Sequence, residues 1–110
     1  MCNVLGPLYV SLGCFKDTAE RAIPILEKTD KILDGHYRTR ENAIEKCLQI
    51  ALNRGFNTFA VQHGGACFGS STARNTYNKY GSSSKCASDG KGGPLANEVY
   101  AIRGNHARVI

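Results

Sequence analysis

Five widely spaced cysteines constrain the fold of this chain more than any other feature. They are Cys2, Cys14, Cys47, Cys67 and Cys86, separated by 12, 33, 20 and 19 positions, so neither a C-x-x-C pair nor zinc-ribbon spacing occurs. Wide spacing favours long-range disulfides in an oxidising compartment, where each bond stabilises a small domain by roughly 2–4 kcal/mol. Five buried free thiols in a cytosolic protein are the alternative, because small cores also use cysteine as an apolar residue.

The composition indicates one small domain with a limited core. The chain has 110 residues, of which 42% are hydrophobic, with five tyrosines, four phenylalanines and no tryptophan. No apolar run approaches the roughly 20 residues that span a bilayer, so we predict no membrane span. The net charge of +5 comes from scattered basic residues, which favours a general basic surface over a dedicated polyanion site. We therefore expect no nucleic-acid partner.

The two ends of the chain differ from its centre. Residues 1–7 contain neither the basic region nor a sufficient apolar region of a secretory signal. If the disulfide interpretation holds, we expect this chain to be a fragment or one module of a longer extracellular protein, with Cys2 in the flanking sequence. The predicted division is an N-terminal flank over 1–8, a module over 9–102 and a basic tail over 103–110.

The first half of the chain contains one predicted strand and one predicted helix. Leu8 to Phe15 is β-branched and aromatic, which favours a strand, whereas Pro24 and an Asp-Gly turn make 22–34 a loop. The helix is predicted to begin with Thr39 as its N-cap and to end at Gly55. Its apolar face consists of Ala43, Ile44, Cys47, Leu48 and Ala51.

The second half adds short strands separated by loops. Residues 56–62 are predicted to form a central strand, with Phe59 and Val61 facing one side, and Cys67-Phe68 a short partner strand. Residues 70–89 are polar, which predicts a loop with one helical turn, and 98–102 form the last strand. The predicted fold class is α+β: one amphipathic helix packed on a small antiparallel sheet, loop-rich and stapled by disulfides.

This arrangement suggests which cysteines pair. Cys47 lies on the buried face of the predicted helix and Cys67 lies just past the strand beneath it, which favours a bond between them. Cys14 at the end of the first strand and Cys86 before the last strand form the second predicted bond. Four cysteines allow three pairings, so the other two connectivities stay open.

Several short motifs occur in a fixed order along the chain. They are Leu12-Gly13-Cys14-Phe15 with Asp17, Cys47, Arg54-Gly55-Phe56, Phe59-Ala60-Val61-Gln62, Gly64-Gly65-Ala66-Cys67 and Val99-Tyr100. Together, over about Tyr9 to Ile102, they resemble a divergent WSC domain, with fewer cysteines than the family commonly carries. The resemblance implies an extracellular carbohydrate-binding module, related in general plan to PAN and apple modules, which bind proteins and glycans.

The predicted function is therefore non-catalytic binding of a glycan or an extracellular glycoprotein, with protein adhesion of the PAN type as the alternative. A sugar site needs an aromatic surface and fixed polar partners. We expect such groups to converge at one end of the sheet, although each of them also has an ordinary role in turns or loop anchoring. The candidate ligand-binding residues are Gln62, His63, Tyr77, Tyr80, Asp89 and Asn97.

An enzyme is the third and weakest hypothesis. Cys67 follows His63 by four positions, which permits a thiol nucleophile and a base, but a bond from Cys67 to Cys47 removes the nucleophile. The histidines His36, His63 and His106 are too far apart for a zinc site readable from sequence, so neither a metal nor a cofactor is predicted. The tail with Arg103, His106 and Arg108 is expected to be solvated, or else to touch anionic polymers.

Overall fold

The computed structural model describes residues 8–103. The predictions for Cys2, His106 and Arg108 lie outside these residues. The elements are β1 (Tyr9–Lys16), 3₁₀ turns at Lys31–Leu33 and Tyr37–Thr39, α1 (Ala43–Arg54), β2 (Thr58–Gln62), β3 (Ala66–Gly69), α2 (Ala73–Thr76) and β4 (Ala96–Ile102). The four strands form one antiparallel sheet in the order β1-β4-β2-β3, with α1 as the main helix. The predicted α+β class is confirmed, and β2 is an internal strand as expected.

The main helix begins later than the sequence predicts. Asn42 has a left-handed backbone with φ 53°, and Arg40 is extended with ψ 128°, so neither residue continues a helix from Thr39. Thr39 instead ends a 3₁₀ turn, and its assignment as the N-cap is wrong. The predicted end is confirmed, because Gly55 adopts φ 76° and its N–H donates to the carbonyls of Ala51 and Leu52.

One face of the sheet, which we call the helix face, packs against α1. Phe59 and Val61 of β2 both point to this side, as predicted from their alternation, and both are fully buried. Ile50 is also fully buried, whereas the predicted core residues Ile44 and Leu48 are half-buried at the margin. The helix face therefore forms a continuous apolar core.

The opposite face, which we call the loop face, is covered by irregular chain and by the short α2. Ala60, Phe68 and Val99 point to this side and pack against Ile23 from the segment after β1 and Ala73 from α2. Because loops carry backbone polar groups that need partners, this face includes buried polar side chains as well as apolar ones.

Two disulfides connect these layers with the predicted pairing. Cys47–Cys67 joins α1 to β3 within the core, and Cys14–Cys86 joins β1 to the loop before β4. Along the outer edge of β3, the N–H of Leu26 donates to the Cys67 carbonyl at 2.8 Å, so a loop covers that edge. Within residues 8–103, no helix combines the length and the apolar character needed to cross a membrane.

Candidate binding site

The site is organised by the tight turn between β2 and β3. His63 and Gly64 both have positive φ, 51° and 99°, and the N–H of Gly65 donates to the Gln62 carbonyl at 3.2 Å. A Cβ at Gly65 would clash with the carbonyl oxygen of Tyr37. Glycine at this position therefore lets the turn press directly against the Tyr37–Thr39 segment, which places Tyr37 beside His63.

A buried ion pair fastens this turn to the preceding loop. Arg40 contacts both carboxylate oxygens of Glu27, with Nη1–Oε2 at 2.7 Å and Nη2–Oε1 at 2.8 Å. The same guanidinium donates to the carbonyls of Gly65 and Leu33, and Glu27 accepts the N–H of Cys67 at 2.9 Å. Each charge is thus compensated inside the protein, and the loop is held at a fixed position against β3.

A cavity of about 550 Å³ opens between this loop and the turn. We call it the aromatic cavity because Tyr37 is flanked by two histidines: its ring lies 4.9 Å from that of His36, stacked, and 6.1 Å from that of His63. Buried Phe68 also lines the cavity, together with Gln62 and Arg21. Apolar ring faces and polar side chains therefore share one opening.

A network of hydrogen bonds fixes the polar side chains of the cavity. Gln62 donates through Nε2 to Asp17 Oδ2 and to Asn97 Oδ1, both at 2.8 Å. Asp17 also accepts from Arg21 Nη1 at 3.0 Å and from the N–H of Ala22 at 2.9 Å. Since Asp17 is only 4% exposed, these donors are what allow its carboxylate to be buried.

The aromatic cavity carries little net charge. Arg21 is paired with Asp17, and Glu27 is paired with Arg40. The remaining charged residues that line it, Lys28 and Asp34, are exposed and of opposite sign. An uncharged polar ligand would therefore meet no uncompensated charge there.

The six predicted site residues do not all lie together. Gln62 and His63 line the aromatic cavity, and Asn97 is fully buried behind Gln62. Asp89 lies apart from them and, together with His63, lines a second cleft. The structure thus brings part of the predicted set to the turn between β2 and β3.

The two predicted tyrosines pack elsewhere. Tyr77 lies edge-on against Phe15 with ring centres 5.0 Å apart, and Tyr80 donates its hydroxyl to the Glu20 carbonyl at 2.7 Å. Neither lines the aromatic cavity or the second cleft. Their ligand-binding roles stay predictions.

His36, Tyr37 and Arg21 were not among the predicted site residues. His36 and Tyr37 follow an Asp-Gly turn, and surface loops of this kind often carry binding residues, which was a usable signal. Arg21 carried no comparable signal. It reaches the cavity through its bond to Asp17 and through the placement of its guanidinium 5.4 Å from the ring centre of Phe68.

The proposed Cys67–His63 catalytic pair has no free thiol in this structure. Cys67 is bonded to Cys47 and is completely buried. Among residues 8–103, histidine, cysteine, aspartate and glutamate do not form a group of three or more that could hold a metal ion.

Two tyrosines on the helix face have perturbed ionisation. Burial raises the pKa of Tyr100 well above its ordinary value, and the negative charge of Glu98 adds to the increase. Burial likewise raises the pKa of Tyr9, with a further contribution from Glu45. The Tyr100 hydroxyl donates to the Gly90 carbonyl at 2.6 Å, so the neutral form is part of the packed structure.

Fold and site together define a class of protein: a disulfide-linked α+β module with a ligand-sized cavity at a hairpin turn. No protein-family model matches the chain. The chain is similar to Xylosyltransferase oxt of Drosophila melanogaster, with 38% identity over 61 residues. That match covers 54% of this chain and 6% of the xylosyltransferase, so the similarity concerns a small part of the larger protein.

Proposed function

We propose that this chain is a non-catalytic, WSC-like extracellular module that binds a glycan in the aromatic cavity. The observation that carries the proposal is the Tyr37 ring between His36 and His63, beside a cavity of about 550 Å³. Cavities of about 300–1,000 Å³ are typical of small-molecule sites, so this volume suits a short saccharide.

The chemistry of the cavity matches that of a sugar. One face of a pyranose ring presents C–H groups, which pack on aromatic rings. Its hydroxyls lose hydrogen bonds to water on binding, and these must be replaced by hydrogen bonds to the protein. The cavity offers the Tyr37 ring for the first requirement and Gln62, His63 and Arg21 for the second. Because Gln62 and Arg21 are already oriented by Asp17, little side-chain entropy is lost when a ligand binds.

The disulfides and the similarity found above support this assignment in different ways. Two disulfides fit an oxidising compartment, which agrees with secretion or with the ectodomain of a surface protein. The relative is a xylosyltransferase by name, which associates this type of segment with a protein that acts on sugars. We place glycan recognition in this segment because the structure provides a cavity with positioned polar groups, and because the matched segment is only 6% of the xylosyltransferase.

A glycan array followed by calorimetric titration of the best free oligosaccharide tests the proposal. Tyr37→Ala and His36→Ala are expected to weaken binding about tenfold each, because each removes a ring from the stack. Tyr80→Ala is the matched control, since Tyr80 lines neither cavity, and it is expected to bind as the unmodified chain does.

Thermal unfolding of each variant separates loss of the site from loss of the fold. Tyr37 packs partly against the loop face, whereas His36 is exposed, so His36→Ala keeps the test valid if Tyr37→Ala unfolds. Equal affinity of His36→Ala and the unmodified chain would remove the aromatic cavity from the proposal.

Protein adhesion is the second candidate, and one observation favours it. Val10 and Leu12 of β1, and Leu8 just before it, alternate with other residues and are 47%, 36% and 36% exposed. Exposed apolar residues on an outer strand are typical of protein contacts. Capture of a glycoprotein partner that persists after the partner is enzymatically deglycosylated would favour adhesion over glycan binding.

A further inference from the structure

A second cleft, of about 310 Å³, lies on the other side of the turn between β2 and β3. We call it the basic cleft. Arg38, Lys85, Asp89 and the glycines Gly92 and Gly93 line it, together with His63. Since His63 also lines the aromatic cavity, the two openings share one wall.

The charge of the basic cleft differs from that of the aromatic cavity. Arg38 and Lys85 are exposed, and neither forms an ion pair with another residue of the described segment 8–103. Asp89 is the carboxylate that lines the cleft, and its Oδ1 accepts the N–H of Lys91 at 2.9 Å. The cleft therefore has an excess of positive charge over negative charge.

The backbone that carries these cations is held in place. A Cβ at Gly93 would clash with the carbonyl of Lys85, which shows how closely the two segments approach. The N–H of Ala87 donates to the Gly92 carbonyl and the N–H of Gly64 donates to the Lys91 carbonyl, both at 3.0 Å. The disulfide from Cys14 to Cys86 adds a covalent tie next to Lys85. The backbone at Lys85 is therefore fixed beside the cleft.

We infer that the basic cleft binds an anionic substituent, a sulfate or a carboxylate, of a glycan whose adjacent sugar occupies the aromatic cavity. This inference rests on the proposed function and specifies its ligand class as an acidic oligosaccharide. The geometry behind it is the shared His63 wall, which places the charge-balanced aromatic cavity next to the cationic cleft.

Three forms of one oligosaccharide test the inference: a heparin-derived tetrasaccharide, its desulfated and N-acetylated form, and that same form after reduction of its carboxylates. The expected affinity decreases in this order, because each step removes anionic groups that can face Arg38 and Lys85. Affinity for the first probe is also expected to fall with added salt, since exposed charges are screened. If desulfation leaves affinity unchanged and carboxylate reduction lowers it, the carboxylate is the group bound.

Charge-removing variants locate the effect. Arg38→Gln and Lys85→Gln are each expected to weaken binding of the heparin tetrasaccharide about three- to five-fold, with little effect on the neutral form. Lys31→Gln combined with Lys46→Gln is the control for the variant that carries both changes, because each of these double variants removes two positive charges and the control residues line neither opening.

The outcomes separate this inference from the proposed function. Equal loss of affinity in the control and in the Arg38→Gln, Lys85→Gln double variant would overturn the inference, because net charge alone would then explain binding. Equal affinity for the three probes, all dependent on His36, would overturn it while leaving glycan binding in the aromatic cavity intact. Absence of binding to the heparin tetrasaccharide would also overturn it.

Discussion

The helix face and the loop face of the sheet are closed by different kinds of contact. On the helix face, Cys47, Ile50 and Ala51 of α1 are fully buried against apolar side chains of the sheet. On the loop face, Asp17 and Asn97 are buried beside apolar residues and are connected through Gln62. The aromatic cavity opens where Gln62 of this polar network reaches the turn between β2 and β3.

The difference follows from what covers each face. Apolar packing has no required direction, so a helix can fill the space above the sheet. Hydrogen bonds require direction, so the loops that cover the other face hold Gln62 and Arg21 at fixed orientations. The helix face therefore serves mainly stability, and the loop face combines stability with the groups that a ligand can contact.

The largest expected effects come from removing the disulfides. Cys14→Ala/Cys86→Ala opens a loop with a sequence separation of 72, and Cys47→Ala/Cys67→Ala opens one of 20. Chain entropy predicts losses of about 4 and about 3 kcal/mol in the free energy of unfolding, measured by chemical denaturation. The reverse order would show that packing around Cys47 on the helix face outweighs loop entropy.

Non-reducing peptide mapping of secreted protein is the companion measurement. We expect the two bonds in the connectivity described above. Free thiols at these four positions would contradict the extracellular assignment.

The polar network on the loop face gives the next effect. The Asp17 carboxylate accepts hydrogen bonds from Arg21, Gln62 and the N–H of Ala22. Asp17→Asn replaces one of its oxygens by an N–H₂ group, which cannot accept a hydrogen bond from these donors. We expect a loss of about 2 kcal/mol in the free energy of unfolding. Asp34→Asn, at an exposed position of the same cavity, is the control and should change stability by less than about 0.5 kcal/mol. Equal effects would show that the network does not stabilise this face.

Tyr100 allows a pH test of the helix face. Its pKa is raised in the folded protein, so above the ordinary tyrosine pKa the unfolded chain loses its proton first and unfolding becomes easier. Stability from this group is complete below the ordinary pKa and falls as the pH rises beyond it. Tyr100→Phe removes the hydrogen bond to the Gly90 carbonyl and should lower the free energy of unfolding by about 1 kcal/mol at neutral pH. It should also make the fall of that free energy at alkaline pH shallower. An unchanged decline would assign the pH dependence to other groups.

The smallest effect is expected at Tyr80. Its hydroxyl donates to the Glu20 carbonyl in an exposed setting, where water can replace it. Tyr80→Phe should lower the free energy of unfolding by less than about 0.5 kcal/mol and leave oligosaccharide affinity unchanged. A clear loss of affinity would return Tyr80 to the binding site and extend that site across the loop face.

The elements that the sequence predicted correctly depend on short-range patterns. Alternation placed Phe59 and Val61 on one side of β2, and Gly55 ended the helix because its left-handed backbone suits glycine. The predicted helix start at Thr39 was wrong because the Arg40 backbone is extended rather than helical. Its side chain is hydrogen-bonded to Glu27 and to the carbonyls of Gly65 and Leu33. No local pattern encodes such a contact.

For the candidate site, the position of Gln62 and His63 at the end of a central strand was enough to select them. Tyr37 and Arg21 were not selected, because the Tyr37 ring meets His63, and the Arg21 guanidinium meets the Phe68 ring, only in the folded chain. The hydrogen bond from Gln62 to Asp17 joins residues 45 positions apart in the sequence, and the one from Arg40 to Glu27 joins residues 13 positions apart.

By itself, the sequence determined the α+β class, which segments are helix or strand, and the favoured cysteine pairing. Hydrophobic periodicity and turn residues are local signals, and the spacing of the cysteines can be read directly along the chain. Only the tertiary structure decided which side chains line the cavity and which charges remain unpaired beside it. Those properties depend on contacts between loops that are far apart in the sequence. They also depend on the hydrogen-bond donors that surround the buried Asp17 carboxylate in the folded chain.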